Sequence, residues 1–374
     1  MQEKEEGRKK SKKSSFFTAA LFAFSLAVVA VIAILEFGGE QDRHLEKDSF
    51  NVLYLIGGIG CFLVALLCEF LKYFYLLKAR GYINKKALAF KVAVIGKYYD
   101  NLTPAGAGGQ GFQMYYLSSN GCGPGTSGGL PIIGFLGLQF GFVLIGILTM
   151  IFGRDFLGEL VGIRVTAIVG LVFYAFIPLC IIFFAVAPNV LEAIVGWGTR
   201  MLGKLHILKH PQSTEEKAIH SLKSYTDALR AFGRHRGQML VVFFLSLVYQ
   251  LALMCLPYFV LHFFGAGVGF IECFCQVVYI YAAITIVFTP GNSGAAEASF
   301  YMVFGTLSGG AVFWGMLVWR ALCYYSWIVL GAIVQVKDRL SKRKTIVEKE
   351  TTEQKSESGQ IAETEDKLKK AVDI

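Results

Sequence analysis

The chain consists of long apolar runs separated by short polar connections. Six runs are long enough to cross a bilayer core, which takes about 20 residues: Phe16–Leu35, Val52–Leu71, Gly129–Phe152, Val165–Ala187, Met239–Phe264 and Ala311–Val336. The first lacks a small-residue cleavage site and reads as a retained span, not a signal peptide. Two stretches break the pattern: NLTPAGAGGQGFQMYY from Asn101 and FTPGNSGAAEASFY from Phe288. Each brings proline, glycine and polar side chains into apolar surroundings.

Charge orients the spans, because Lys and Arg accumulate in cytoplasmic loops. Residues 1–15 carry six basic side chains, residues 78–91 five with no acid, and residues 188–237 eight. All three segments are predicted to be cytoplasmic. Residues 38–51 hold two basic and four acidic side chains and are predicted to lie outside. The tail from Lys337 opens with Arg339, Lys342, Arg343 and Lys344, which places the C-terminus inside with the N-terminus.

These assignments constrain the two odd stretches. The chain is already inside at residue 91, and the 129–152 span must start inside, so residues 92–128 insert and return on one face. Residues 270–310 do the same from the opposite face. Irregular backbone at membrane depth is tolerated only where protein or a wet cavity surrounds it. The expected fold is therefore an all-α polytopic membrane protein with six full spans and two re-entrant broken-helix hairpins.

The tips of the two hairpins resemble each other. Thr103-Pro104 is followed by Gly108, and Thr289-Pro290 by Gly294 at the same offset. Each then passes a polar residue, Gln110 or Glu297, to an aromatic pair, Tyr115 and Tyr116 or Phe300 and Tyr301. The flanking order of span, hairpin and span also matches. Together these features predict an inverted-topology repeat with its binding site near the midplane.

Pro104 and Pro290 break the helices, since each lacks an N–H donor and clashes with the preceding turn. Half-helices are expected to restart near Gly109 and Ala295. Their first N–H groups carry partial positive charge and suit a phosphate. Asn101, Thr103, Gln110, Gln113, Asn292 and Ser293 add side-chain hydrogen bonds. With Gly108, Gly109, Gly294, Glu297 and Arg320 they form the expected headgroup site. The glycines also suit plain close packing of helices.

Ionisable residues inside spans are functional candidates. Lys97 and Asp100, spaced i, i+3, are positioned to pair, and Glu297 has Arg320 as its expected partner. Glu69 and Lys72 sit near the cytoplasmic end of the second span, where snorkelling toward the headgroups is expected. Tyr115 and Tyr301 are secondary candidates. The stretch from Ser213 to Phe232 has a Ser213-x-x-Glu216 capping box and a stripe at Ile219, Leu222, Leu229 and Phe232, so it predicts an amphipathic helix on the cytoplasmic interface. Residues 345–374 have few large apolar side chains, so disorder is expected there.

Composition agrees with the hydropathy: 55% of the 374 residues are hydrophobic and 17% charged, against about 25% charged in soluble domains. The net charge of +9 resides in tails and loops and points to anionic lipid surfaces, not nucleic acid. Five of the eight cysteines lie inside apolar runs. Cys273 and Cys275 form a C-x-C with no second half, and His206 and His210 have no third ligand nearby, so no metal site is expected. No phosphate-binding G-x-x-x-x-G-K-[ST] loop occurs and no cofactor is expected.

The motifs YYDNLTPAGAGGQGFQMYYL and TPGNSGAAEASFY, in this order among these spans, resemble the flippase-like transmembrane domain of lysylphosphatidylglycerol synthases. The resemblance covers about residues 15–340. Gly111 departs from the Gly-Gly-Gln-Pro run of many relatives. The resemblance implies lipid translocation in a bacterial cytoplasmic membrane. Long members carry a soluble lysyltransferase domain, whereas only the charged segment 337–374 follows the last span here, so a non-enzymatic role is expected. The resulting division is a basic tail at 1–15, a flippase-like domain at 16–336 and a charged tail at 337–374. The expected partner is a phospholipid or polyprenyl-phosphate lipid, with a separate lipid synthase as a possible second. Two alternatives are an enzyme of aminoacyl-lipid or glycolipid synthesis, using Glu297 or Asp100 as acid or base, and a small-anion secondary transporter.

Overall fold

The computed structural model describes residues 50–341 except 105, 107, 158–160, 205–218, 220–229, 231–235 and 308. The predicted span Phe16–Leu35 and the tail beyond Ser341 lie outside these residues. So does the amphipathic segment 213–232, apart from Ile219 and Arg230.

The described residues form helices and no strands. In chain order these are α1 (Val52–Ala79), α2 (Lys86–Leu102), α3 (Gly109–Ser119), α4 (Pro124–Phe152), α5 (Val161–Val186), α6 (Pro188–Lys204), α7 (Arg236–Phe263), α8 (Phe270–Ile284), α9 (Ala295–Phe304) and α10 (Gly310–Ser341). Five of them, α1, α4, α5, α7 and α10, are long and apolar enough to cross a membrane. They correspond to the five predicted spans that fall inside the described residues. Leu53, Ile56, Leu63 and Leu67 on α1, and Val165, Val172, Phe176, Leu179 and Phe183 on α5, are exposed. Such belts have acyl chains as their natural partner, because an apolar side chain gains nothing by facing water.

Helices α1 and α7 pack antiparallel. The Asn51 N–H donates to Phe263 O at 3.3 Å, and Tyr54 meets Tyr258 edge-on at 6.2 Å. Phe50 and Phe263 therefore mark one end of the bundle, and Ala79 and Arg236 mark the other.

Helices α2 and α3 fold into the first hairpin. Lys85 Nζ donates to Asn120 O at 2.7 Å at the base, Gln113 Nε2 to Val92 O at 3.0 Å midway, and Gly109 N to Asp100 Oδ1 at 3.0 Å near the tip. Its base lies at the Ala79 end, where the Gly123 N–H donates to the Tyr82 hydroxyl at 3.1 Å. Helices α8 and α9 form the second hairpin. Its base lies at the opposite end, where the Phe270 ring stands 5.1 Å from that of Tyr258. The return arms have 11 and 10 residues, or ~15–17 Å at 1.5 Å per residue, about half of a bilayer core. The hairpins thus insert from opposite ends, as the repeat predicted, and their tips touch. Pro104 and Pro290 form an isolated antiparallel bridge.

The restart points match the expected ones, with α3 beginning at Gly109 and α9 at Ala295. Three local expectations are corrected. Residues 188–204 of the predicted cytoplasmic loop are helical, because Pro188 starts α6 at a position that needs no N–H. The last span does not stop at Val336: α10 continues to Ser341, and Asp338 is held by Lys91 Nζ at 2.5 Å and by the Tyr116 hydroxyl. Glu69 and Lys72 do not snorkel. Both are buried, paired at 2.7 Å, with Lys72 Nζ also 3.5 Å from Gly134 O, because their helix face packs on α4 instead of facing headgroups.

Candidate functional site

A cavity of 650 Å³ lies where the two tips meet, within the range of small-molecule sites. Its wall takes Lys97, Asp100 and Asn101 from α2, Gly106 from the first tip and Gln110 from α3. Gly291 and Asn292 come from the second tip, and Arg320 and Tyr324 from α10. Helices α4, α5, α7 and α8 close the remaining sides with Phe142, Tyr174, Tyr249 and Tyr281 among others. Most of the lining is aromatic or aliphatic, with polar groups placed at intervals.

Local chemistry explains how each tip holds its shape. In the first, Thr103 Oγ1 donates to Tyr99 O at 2.7 Å and accepts from Gly108 N at 2.9 Å. Thr103 therefore ends one helix and begins the next. In the second, Thr289 Oγ1 donates to Ser293 O at 2.9 Å, closing the loop in the equivalent place. Asn292 adopts φ +55°, which Asn tolerates better than most residues, and its Nδ2 donates to Ile284 O at 2.6 Å at the end of α8. Gly291 has φ +58°, and a Cβ there would lie 2.0 Å from the Tyr324 ring. Only glycine fits such a backbone conformation against an aromatic face.

Both half-helices receive a carboxylate at the N-terminus. Asp100 Oδ1 accepts the Gly109 N–H, and Glu297 Oε2 accepts the Gly294 N–H at 2.5 Å. The tip amides of Gly108, Gly109 and Gly294 are thus satisfied from within the protein and do not present bare N–H groups to the cavity. For these three amides a group of the protein itself takes the place of the expected anion. The positive helix ends are already matched by side chains.

The structure sorts the predicted site residues into two groups. Lys97, Asp100, Asn101, Gln110, Asn292 and Arg320 share the cavity wall. Asn101 Nδ2 reaches Tyr324 O at 3.5 Å, and the Tyr324 hydroxyl returns a bond to Asn101 O at 3.3 Å. The other group is elsewhere. Gln113 is buried between the arms, accepting from Tyr73 at 3.0 Å and donating to Val92 O. Tyr115 is 65% exposed on the outer face. Ser293 and Tyr301 do not line the cavity, and Tyr301 packs against the main core. Glu297 sits behind Arg320, as its expected ion-pair partner through Nε.

Lys97 and Asp100 do not pair, which corrects a further expectation. Asp100 turns toward Gly109, whereas Lys97 Nζ lies over the Tyr249 ring at 4.8 Å. Arg320 Nη1 donates to Gly291 O at 3.3 Å, but its buried Nη2 has no hydrogen-bond partner among the described residues. A π-helical turn, Ala321–Tyr325, follows Arg320 at once. Such turns shift the register of the side chains after them and occur often at functional sites. Among the described residues no group of His, Cys, Asp and Glu could hold a metal ion.

Several wall residues escaped the sequence reading. Gln139 and Gln250 line the cavity, and Gln250 Nε2 donates to Leu138 O at 3.4 Å. Each is a lone glutamine in the middle of an apolar run, a signal that a polar side chain turns inward. Tyr174, Tyr249, Tyr281 and Tyr324 had no comparable signal.

No curated protein and no solved structure matches the chain. Residues 21–331 match the model of the lysylphosphatidylglycerol synthase transmembrane region. This span takes in every described cavity residue, and the chain belongs to that family of multi-pass membrane proteins.

Proposed function

We propose that the protein moves a lipid headgroup between leaflets of the bacterial cytoplasmic membrane, as a flippase or scramblase with both termini cytoplasmic. The cargo is an anionic or aminoacylated phospholipid, or a polyprenyl-phosphate lipid. The observation that carries this reading is the contact of two opposed hairpin tips, Pro104 against Pro290, at the wall of a partly polar cavity. Hairpins inserted from both ends let a cavity at their meeting point communicate with either side through small movements of one tip. A headgroup would occupy the cavity while the acyl chains stay in the bilayer.

The polar groups suit such a cargo. Lys97 and the unpartnered Nη2 of Arg320 offer donors to a phosphate, and Asn101, Gln110 and Asn292 add neutral hydrogen-bonding capacity. The aromatic lining accommodates the glycerol carbons. Translocation needs no covalent step, and none is invoked.

Reconstitution tests this directly. Purified protein in liposomes carrying fluorescent phosphatidylglycerol, lysylphosphatidylglycerol or a polyprenyl phosphate should speed exchange between leaflets, read by quenching of the outer-leaflet label. An exchange rate no faster than in protein-free vesicles, for all three lipids, would reject the reading.

A further inference from the structure

The cavity holds a carboxylate where an anion is proposed to bind. We propose that headgroup binding is coupled to uptake of one proton by Asp100, so that the protein carries an anionic headgroup and a proton together. This rests on the translocation reading above and adds its energy source.

Charge counting carries the argument. Glu69 and Lys72 neutralise each other in a buried pair that does not line the cavity. Glu297 neutralises Arg320 in the same way. The uncompensated groups on the wall are then Lys97 and Asp100, one positive and one negative, sharing the cavity without touching. Empty, the site is balanced. A phosphodiester brings one further negative charge into surroundings of low polarity, where an unmatched charge is costly. One proton on Asp100 restores the balance, and among the described residues no other carboxylic acid lines the cavity.

The surroundings of Asp100 support the assignment. Lys97 acts on it from its own helix, Glu69 and Lys72 from α1, and the Gly109 N–H from α3. Tyr249 of α7 and Arg320 of α10 share the cavity with it. Two of the cations are committed to Glu69 and Glu297, leaving Lys97 to serve either Asp100 or the cargo. Protonated Asp100 can still accept the Gly109 hydrogen bond through its carbonyl oxygen, so the first tip keeps its shape in both states. The step balances: one phosphodiester anion and one proton enter, and both leave on the far side with no net charge moved.

Liposomes with a pH difference across the membrane test the coupling. Labelled phosphatidylglycerol should collect in the leaflet facing the alkaline compartment, approaching about tenfold asymmetry per pH unit for one-to-one coupling. Protein-free vesicles supply the background. A potassium diffusion potential of equal size should leave the distribution unchanged. Asp100→Asn keeps an acceptor for Gly109 and mimics the neutral acid, so its exchange should ignore the pH difference.

Accelerated exchange that stays symmetric in the wild-type protein would overturn coupling and leave translocation standing. Asymmetry that survives in Asp100→Asn, or that follows the electrical potential, would also overturn it. No exchange at all would reject both readings. Radiolabelled inorganic phosphate provides the second arm: uptake of phosphate driven by the same gradient, with no redistribution of lipid, would assign the coupling to a soluble anion and overturn the lipid form. Should Asp100→Asn abolish exchange, the wild-type gradient experiment decides alone.

Discussion

Glu297 grips the second tip and the last span at once. Its Oε1 accepts from Arg320 Nε, and its Oε2 accepts the Gly294 N–H at the start of α9. Both side chains are buried, Glu297 at 7% and Arg320 at 5% exposure. Removing one partner of such a pair leaves an uncompensated buried charge and costs about 3–5 kcal/mol. Glu297→Gln keeps an acceptor for Gly294 but loses the charge, so thermal melting in detergent should fall sharply. The double variant Glu297→Leu with Arg320→Met removes both charges and should recover most of the loss. A double variant as unstable as the single one would show that the cap, not the pair, carries the stability.

The first hairpin closes on Gly109. A Cβ there would sit 2.2 Å from Asp100 Oδ1 and 2.5 Å from Gly96 O, so neither the carboxylate nor the backbone can accept it without movement. Gly109→Ala should push the arms apart, lower the melting temperature and abolish exchange in liposomes. Overpacking of this kind typically costs about 1–3 kcal/mol. Gly111→Ala, two residues on, meets nothing within 4 Å and lies in a helix. It should be neutral or stabilising by up to ~1 kcal/mol. Equal effects of the two substitutions would contradict the packing.

Much of the hairpin geometry was legible because proline and glycine act locally. Pro104 stands directly after the C-cap of α2 and Pro290 stands in the second tip, and the restarts at Gly109 and Ala295 were expected beyond them, whereas Pro131, Pro178 and Pro257 lie inside helices. The opposed insertion followed from charge counting. Side-chain partners were less legible, because they depend on which helix face meets which neighbour. Asp100 caps a residue nine positions later, across the turn, and Lys72 is buried where its depth suggested a route to the headgroups. Gln139 and Gln250 carried a signal, while the tyrosines of the wall did not, since aromatic residues serve packing and cavity lining alike.

Gln113 joins three helices. It accepts the Tyr73 hydroxyl from α1 at 3.0 Å and donates to Val92 O on α2 at 3.0 Å, and it is 3% exposed. Tyr73→Phe leaves Gln113 Oε1 without this donor in a buried setting, which costs about 1–3 kcal/mol. Melting should drop accordingly. Exchange measured below the melting range should change little, because Gln113 does not line the cavity. A selective loss of exchange with unchanged melting would instead give Gln113 a direct role in transport.

Opposed insertion of the hairpins makes a topological prediction. Asn120 lies exposed at the base of the first hairpin, and Gly267 lies exposed just before the second. In a cysteine-depleted background, Asn120→Cys should react with a membrane-impermeant maleimide only in inverted membrane vesicles, where the cytoplasmic face is outward. Gly267→Cys should react only in intact cells stripped of their outer barrier, because the α1 and α7 ends that flank it belong to the other face. The cytoplasmic assignment of Asn120 rests on the five basic residues of 78–91, one of which, Lys85, bonds to its carbonyl. Labelling of both positions from one side would mean that α4, α5 and α7, which separate them, do not all cross the membrane, and the contact of Pro104 with Pro290 could not then join its two faces.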